Sequence, residues 1–240
     1  MRELEIKMEP AKNYHRFVTF LYWYALLALL VLSFLFAKVD VVLWVNRNHS
    51  GFQDSFFKTI THLGEGWIFI PVLIYTLFVR FSLSFAVASV AVAHGIICAL
   101  LKKIFFAGAL RPTEIIDKNL LYIMPDVAYH SNYSFPSGHT ATIFCFVVFV
   151  SFLIQHRLAS FILLVIALSV GYSRIYLLQH FLIDVTAGAF IGTITALLIA
   201  YLFDHNNFPK WTNSRILNRA GQWKLLSSQK SMAYPGLQPK

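Results

Sequence analysis

Long, unbroken apolar runs limit this chain to very few architectures. They occupy Phe17–Ala37, about Trp67–Val79, Leu83–Leu101, His139–Ile154, Leu158–Tyr176 and Phe181–Phe203. A helix needs about 20 mainly apolar residues to cross a bilayer core, so these runs read as six helical spans. The runs are continuous rather than alternating, which argues against a transmembrane β-barrel. With 58% hydrophobic and only 13% charged residues, the chain has too little polar surface for a soluble domain. The expected fold class is all-α: a polytopic membrane protein with six transmembrane helices in one bundle. Phe17–Ala37 is too long for a signal-peptide core and lacks a small-residue cleavage site, so it reads as a retained anchor. Val39–Trp67 is mixed, with a polar Asn46–Gly51 segment and helical spacing of apolar residues over Phe56–Leu63. It predicts an interfacial helix between the first two spans.

The charges sit at the ends of the runs. Six spans place both termini on one side, and the Lys/Arg rule for loop orientation assigns residues 1–16, Arg80, Arg157 and the basic tail 204–240 to the cytoplasm. Trp211 and Trp223 would hold the start of that tail at the membrane surface. The net charge of +9 then fits anionic lipid headgroups and gives no reason to expect nucleic acid. Cys98 and Cys145 lie in apolar runs and form neither a disulfide framework nor a metal-type spacing. Lys102, Lys103, Arg111, Lys118 and Arg174 fall on the opposite face, where topology disfavours them. Positive charge in that position points to an anionic ligand.

Three stretches meet on that face. In the first, Lys102-Lys103 closes the third span and Arg111-Pro112 opens the following loop. Lysine and arginine bind phosphate oxygens through charge-assisted hydrogen bonds; lysines at a helix end also snorkel as plain anchors. In the second, Pro136-Ser137-Gly138-His139 precedes an apolar run and signals a helix start, where free N–H groups and the helix dipole attract anions. Gly138 allows close approach, Ser137 can donate a hydrogen bond, and His139 stands where it could act as an acid. In the third, Gly171–Gly188, Ser173-Arg174 is followed by His180 and then by Asp184. His180 and Asp184 are four apart and would share a helix face; the carboxylate could hold one ring nitrogen and leave the other as a nucleophile or base. Taken singly, each stretch also reads as a structural ion pair or an ordinary helix start. Together, Lys103, Arg111, Arg174 and the Ser137-Gly138 N–H groups could surround one tetrahedral oxyanion between two histidines.

The pattern Lys…Arg-Pro, Pro-Ser-Gly-His and Ser-Arg-x5-His-x3-Asp resembles the three-part signature of the type 2 phosphatidic acid phosphatase superfamily. The second and third parts match in full at Pro136–His139 and Ser173–Asp184, and Gly188 fits the usual continuation. The first departs: the family usually has six residues between Lys and Arg, whereas seven separate Lys103 from Arg111 and Ile104 holds the standard position. That leaves the choice between Lys102 and Lys103 open. The resemblance covers about Val39–Phe203 and implies a six-span phosphatase domain over 17–203. It implies a metal-free, cofactor-free hydrolase of a lipid phosphate or diphosphate, with membrane lipids as its surroundings. His180 would form a phosphohistidine, Asp184 would orient it, and His139 would serve as acid and then base. Lys103, Arg111, Ser137, Gly138 and Arg174 would bind the phosphoryl group. Apart from the resemblance, the aromatic-rich composition and the uncleaved anchor point to a bacterial inner membrane, with the site facing the periplasm.

Other readings compete. A transporter or binding protein for an anionic lipid or phosphate would also use intramembrane charge, although it should place charges mid-span or break helices in paired halves. A metal site of His139, His180 and Asp184 would face repulsion from Arg111 and Arg174. His94, about 13 Å along a helix from Lys103, reads as a satisfied core histidine. Tyr129, His130, Asn132 and Tyr133 read equally as a headgroup pocket or a polar loop.

Overall fold

Backbone polar groups immersed in lipid must be satisfied within their own segment, and the apolar runs are helical in the computed structural model, which describes residues 2–205. The helices are α1 (Arg2–Leu35), α2 (Lys38–Arg47), α3 (Gly51–Ile60), α4 (Phe69–Val79), α5 (Phe81–Leu100), α6 (Pro112–Ile115), α7 (Gly138–Ile154), α8 (Arg157–Tyr176) and α9 (Leu182–His205). Short 3-10 turns and one π turn, Leu101–Phe105, join or extend them, and there is no strand among the described residues. The all-α membrane class therefore stands.

The spans are less uniform than six equal helices. Asn13–Leu35, Phe81–Phe105, Arg157–Tyr176 and Leu182–Phe203 are long and apolar enough to cross a membrane. The expected second span is one arm of a pair, Gly51–Gly64 and Gly66–Val79, bent by 63°. The expected fourth span, α7, has only 17 residues. It packs against α1, α5, α8 and α9, so its surroundings are largely protein. In place of one interfacial helix there are two, α2 and α3. They are separated at Ser50, whose side chain caps α3 by accepting from the Gln53 N–H. The segment 1–16 continues as helix from Arg2. Of the tail 204–240, residues beyond His205, with Trp211 and Trp223, lie outside the described residues.

The α7–α9 contact fixes the position of the site. A Cβ added at Gly188 would strike the Ser137 carbonyl, and one at Gly192 would strike the Ala141 carbonyl. Small residues one turn apart thus let the two backbones touch. At the far end of the bundle, the Tyr14 hydroxyl reaches the Ser151 carbonyl at 2.9 Å and Ser160 Oγ at 2.6 Å, and Tyr22 reaches Ser151 Oγ at 3.1 Å. His94 is buried, with Nδ1 3.0 Å from the Val90 carbonyl and Nε2 3.1 Å from Thr142 Oγ1, as expected of a core histidine.

Candidate active site

Each of the three stretches reaches the site through a distinct local device. The third depends on how α8 ends. Leu178 N donates to the Ile175 carbonyl at 3.0 Å, and Gln179 N donates to the Arg174 carbonyl at 2.9 Å. These are the paired bonds of a Schellman ending. Leu178 takes the left-handed position, with φ 56°, that glycine normally fills. A side chain there costs about 1–2 kcal/mol; Leu178 is fully buried beside Ile175 and Phe181, which offsets it. This turn carries His180 back over Arg174, whose carbonyl also accepts from His180 N at 3.1 Å.

His180 therefore stands before α9 rather than on it. Asp184 lies in the first turn of α9 and reaches back, its Oδ2 accepting from Phe181 N at 2.9 Å, as the third residue of a capped helix can. The same oxygen accepts from Ser134 Oγ at 2.5 Å and stands 3.6 Å from His180 Nδ1. That separation is too long for a hydrogen bond. His180 is 2% exposed, and burial, reinforced by the Arg174 charge, pushes its ring down to about 3. The ring is therefore neutral at ordinary pH.

Ser137 begins α7 and is wholly buried. Its N–H donates to the Asp184 carbonyl at 2.9 Å, and its Oγ serves the helix start, 2.9 Å from Thr140 Oγ1. Ser137 ties the second stretch to the third and does not line the cavity; Gly138 and His139 do. His139 is held from behind by Gly64: a Cβ on Gly64 would come within 2.7 Å of His139 Cβ. Gly64→Ala should therefore displace His139 and lower turnover about 100-fold, since a misplacement of roughly 1 Å costs that much. Turnover within threefold of wild type would show that His139 tolerates the shift.

Lys102 lines the cavity, lies about 4 Å from where a Gly138 Cβ would sit, and donates to the Tyr133 carbonyl at 3.1 Å. Lys103 is not on the cavity wall. The π turn over Leu101–Phe105 winds wider than an α-helix and alters which lysine faces inward, a change that residue spacing cannot reveal. Arg111 is buried. Its Nε donates to the Asn132 carbonyl at 3.0 Å, and its Nη1 donates to Gln179 Oε1. Arg174 is also buried, with Nη1 donating to Thr61 Oγ1 at 2.6 Å and Nε making no hydrogen bond.

Lys102, Arg111, Gly138, His139, Arg174 and His180 thus border one cavity of about 480 Å³. Sequence reasoning missed the partners that hold these groups: Thr61 on Arg174, Ser134 on Asp184 and Gln179 on Arg111; Thr61 and Gln179 themselves border the cavity. Thr61 and Ser134 carry no sequence signal, being single hydroxyls in unremarkable context. Among the described residues, no group of three or more His, Cys, Asp or Glu side chains is spaced to hold a metal ion. A separate apolar groove of about 800 Å³ runs between α1, α2, α3, α8 and α9.

The profile of the PAP2 superfamily matches residues 54–208, well over half of the 240-residue chain. The chain belongs to the PAP2 superfamily. Its relatives include phosphatidylglycerophosphatase B of Bacillus subtilis, 36% identical over 89 residues, 32% of this chain and 44% of that protein. The bacitracin transport permease protein BcrC of Bacillus licheniformis is 42% identical over 66 residues, 28% of this chain and 32% of that protein. The chain thus spans less than half the length of these curated relatives. Among solved structures, Aquifex aeolicus LpxE superposes with a TM-score of 0.59 and 26% identity, over 69% of this chain and 96% of that one. The phosphatidylglycerolphosphate phosphatase of Bacillus subtilis superposes with a TM-score of 0.55 and 23% identity, over 80% and 97%, a likeness of fold. The PAP2 chain described here is an integral membrane protein with the helical architecture of these neighbours.

Proposed function

We propose that this PAP2 protein hydrolyses a lipid phosphate or diphosphate through a phosphohistidine, at the non-cytoplasmic face of its membrane. One observation carries the reading: His139, His180, Lys102, Arg111 and Arg174 border a single cavity, with the Asp184 carboxylate behind His180. The names of its relatives, a phosphatidylglycerophosphatase and a phosphatidylglycerolphosphate phosphatase, support the substrate class.

Nδ1 of His180 faces Asp184, which leaves Nε2 to attack phosphorus while the P–O bond to the lipid breaks. The electron pair of that bond passes to the leaving oxygen, which His139 protonates. A dianionic phosphate beside His139 favours the protonated ring that this step needs. In the second step His139 takes a proton from water, whose oxygen attacks phosphorus and releases Nε2. Lys102, Arg111, Arg174 and the α7 N-terminus from Gly138 hold the phosphoryl oxygens, where charge shifts during transfer. The side chains do all of this without a metal or cofactor.

The test is phosphate release by the protein in detergent with excess chelator present. Prenyl diphosphate, phosphatidylglycerol phosphate, phosphatidic acid and lipid A phosphate are offered in parallel. Release from at least one, undiminished by chelator, is expected. Release that stops with chelator and returns with a divalent cation contradicts the metal-free mechanism. The relative named as a bacitracin transport permease protein favours transport as the second reading. Binding of these lipids without phosphate release from any of them would favour it.

The pH dependence follows from burial. His180 must be neutral to attack, and its pKa lies near 3, below the ordinary value of about 6.5. Protonation of the nucleophile therefore removes activity only in strong acid. The acid limb that His180 sets on the kcat/KM profile should lie well below pH 6. An acid limb centred near 6.5 would contradict the buried, neutral nucleophile.

A further inference from the structure

Gln179, immediately before His180, is the polar residue of this region whose task the mechanism leaves open. It is 4% exposed, too enclosed for an amide without partners. Its Oε1 accepts from Arg111 Nη1, its backbone carbonyl lies 3.4 Å from the same nitrogen, and its Nε2 donates to the Ala128 carbonyl at 3.0 Å. Arg111 arrives on the loop after the π turn, Ala128 on the long loop before α7, and Gln179 on the α8–α9 turn. One amide thus joins three segments that share no helix.

The orientation of the amide also matters. A guanidinium has five N–H donors in a fixed plane. The Asn132 carbonyl takes Nε and Gln179 takes Nη1, which sets the plane and the direction of the remaining donors. The Ala128 carbonyl can accept only from the NH2 side of Gln179, so it turns the amide oxygen towards Arg111. The amide is neutral, so it fixes the cation without competing for it as a carboxylate would.

We infer that Gln179 is a positioning residue that aims Arg111 at the phosphoryl group and couples it to the His180 turn. The inference rests on the phosphatase reading. Gln179 itself borders the cavity, but its amide is engaged by Arg111 and the Ala128 carbonyl, and it acts on the phosphoryl group through Arg111.

The test is a double-mutant cycle read in two ways: kcat/KM on the best lipid substrate of the panel, and the inhibition constant for orthovanadate, a phosphate mimic. Gln179→Met keeps the volume and removes both hydrogen bonds. Gln179→Glu keeps the acceptor and adds a charge that competes with phosphate for Arg111. Both should weaken vanadate and lower kcat/KM by about 10-fold, the weight of one or two lost hydrogen bonds to a charged group. In an Arg111→Ala background, Gln179→Met should alter both readouts by less than about twofold, because residues acting through one another are not additive. A purely structural role would give the same loss in both backgrounds, and that result overturns the inference. Wild-type affinity in both single variants overturns it as well. Should the wild-type protein release no phosphate from any lipid, the phosphatase reading fails instead. Vanadate binding, followed by calorimetry, still decides whether Gln179 acts through Arg111.

Discussion

Replacing His180 with alanine should lower kcat for lipid phosphate hydrolysis by roughly 10⁴-fold or more, the scale on which removal of a covalent nucleophile is felt. The magnitude follows from where the ring sits. It is buried, neutral, and backed by a carboxylate on one nitrogen, so no neighbouring group can replace it. The other histidine on the cavity wall, His139, is held by the Gly64 backbone and is committed to the leaving oxygen. Substrate binding should survive, because Lys102, Arg111 and Arg174 remain. The His180→Ala protein should therefore bind vanadate or an intact lipid phosphate while failing to turn it over. Its thermal unfolding, measured in the same detergent, should lie close to wild type, since the ring makes no hydrogen bond through Nδ1. A kcat within 10-fold of wild type would assign the attack to another group.

Asp184→Asn should lower kcat by about 10³–10⁴-fold, the range seen when a buried carboxylate behind a catalytic histidine becomes an amide. The carboxylate oxygen Oδ2 accepts from Ser134 Oγ and Phe181 N. The same Oδ2 faces His180 Nδ1, so an asparagine that gives its carbonyl oxygen to those two donors keeps the turn capped and keeps an oxygen towards the ring. It removes the negative charge that favours the Nδ1–H tautomer and stabilises the ring as it becomes cationic on bonding to phosphorus. The loss is thus in the charge behind the nucleophile. The melting temperature should fall little, and KM less than kcat. A variant that loses its fold along with its activity would show that Asp184 acts mainly as the cap of α9. A variant with near wild-type kcat would remove Asp184 from the mechanism.

What could be read from residues alone was the chemistry of single positions: helical spans, His180 with Asp184, His139 at a helix start, and Arg111 and Arg174 on one face. Each follows from residue type and short spacing. What could not be read depends on backbone departures that the residues do not announce. The lysine at the cavity is Lys102, because a π turn alters the register of Lys102 and Lys103. Ser137 looked like a ligand donor; in the structure its N–H donates to the Asp184 carbonyl and its Oγ stays with Thr140 at the start of α7. His180 and Asp184 looked like one helical face. Instead a Schellman turn, with leucine in the position glycine usually takes, brings His180 in from outside the helix. The expected second span is the apolar arm of a bent pair, because Gly64-Glu65-Gly66 interrupts the helix where Gly64 must clear His139. The hydroxyls of Thr61 and Ser134 find their partners 113 and 50 residues away in sequence, a distance at which no local pattern operates.

The central claim is a covalent bond between phosphorus and His180. The most direct measurement is alkaline quenching during turnover of a lipid substrate labelled with 32P, followed by mapping of the labelled peptide. Alkali preserves phosphohistidine while removing phosphoserine and phosphothreonine esters. The account predicts label on the peptide containing His180 in the wild-type protein and none in His180→Ala. Label on a different residue, or turnover with inversion at phosphorus and no protein-bound label, would contradict it.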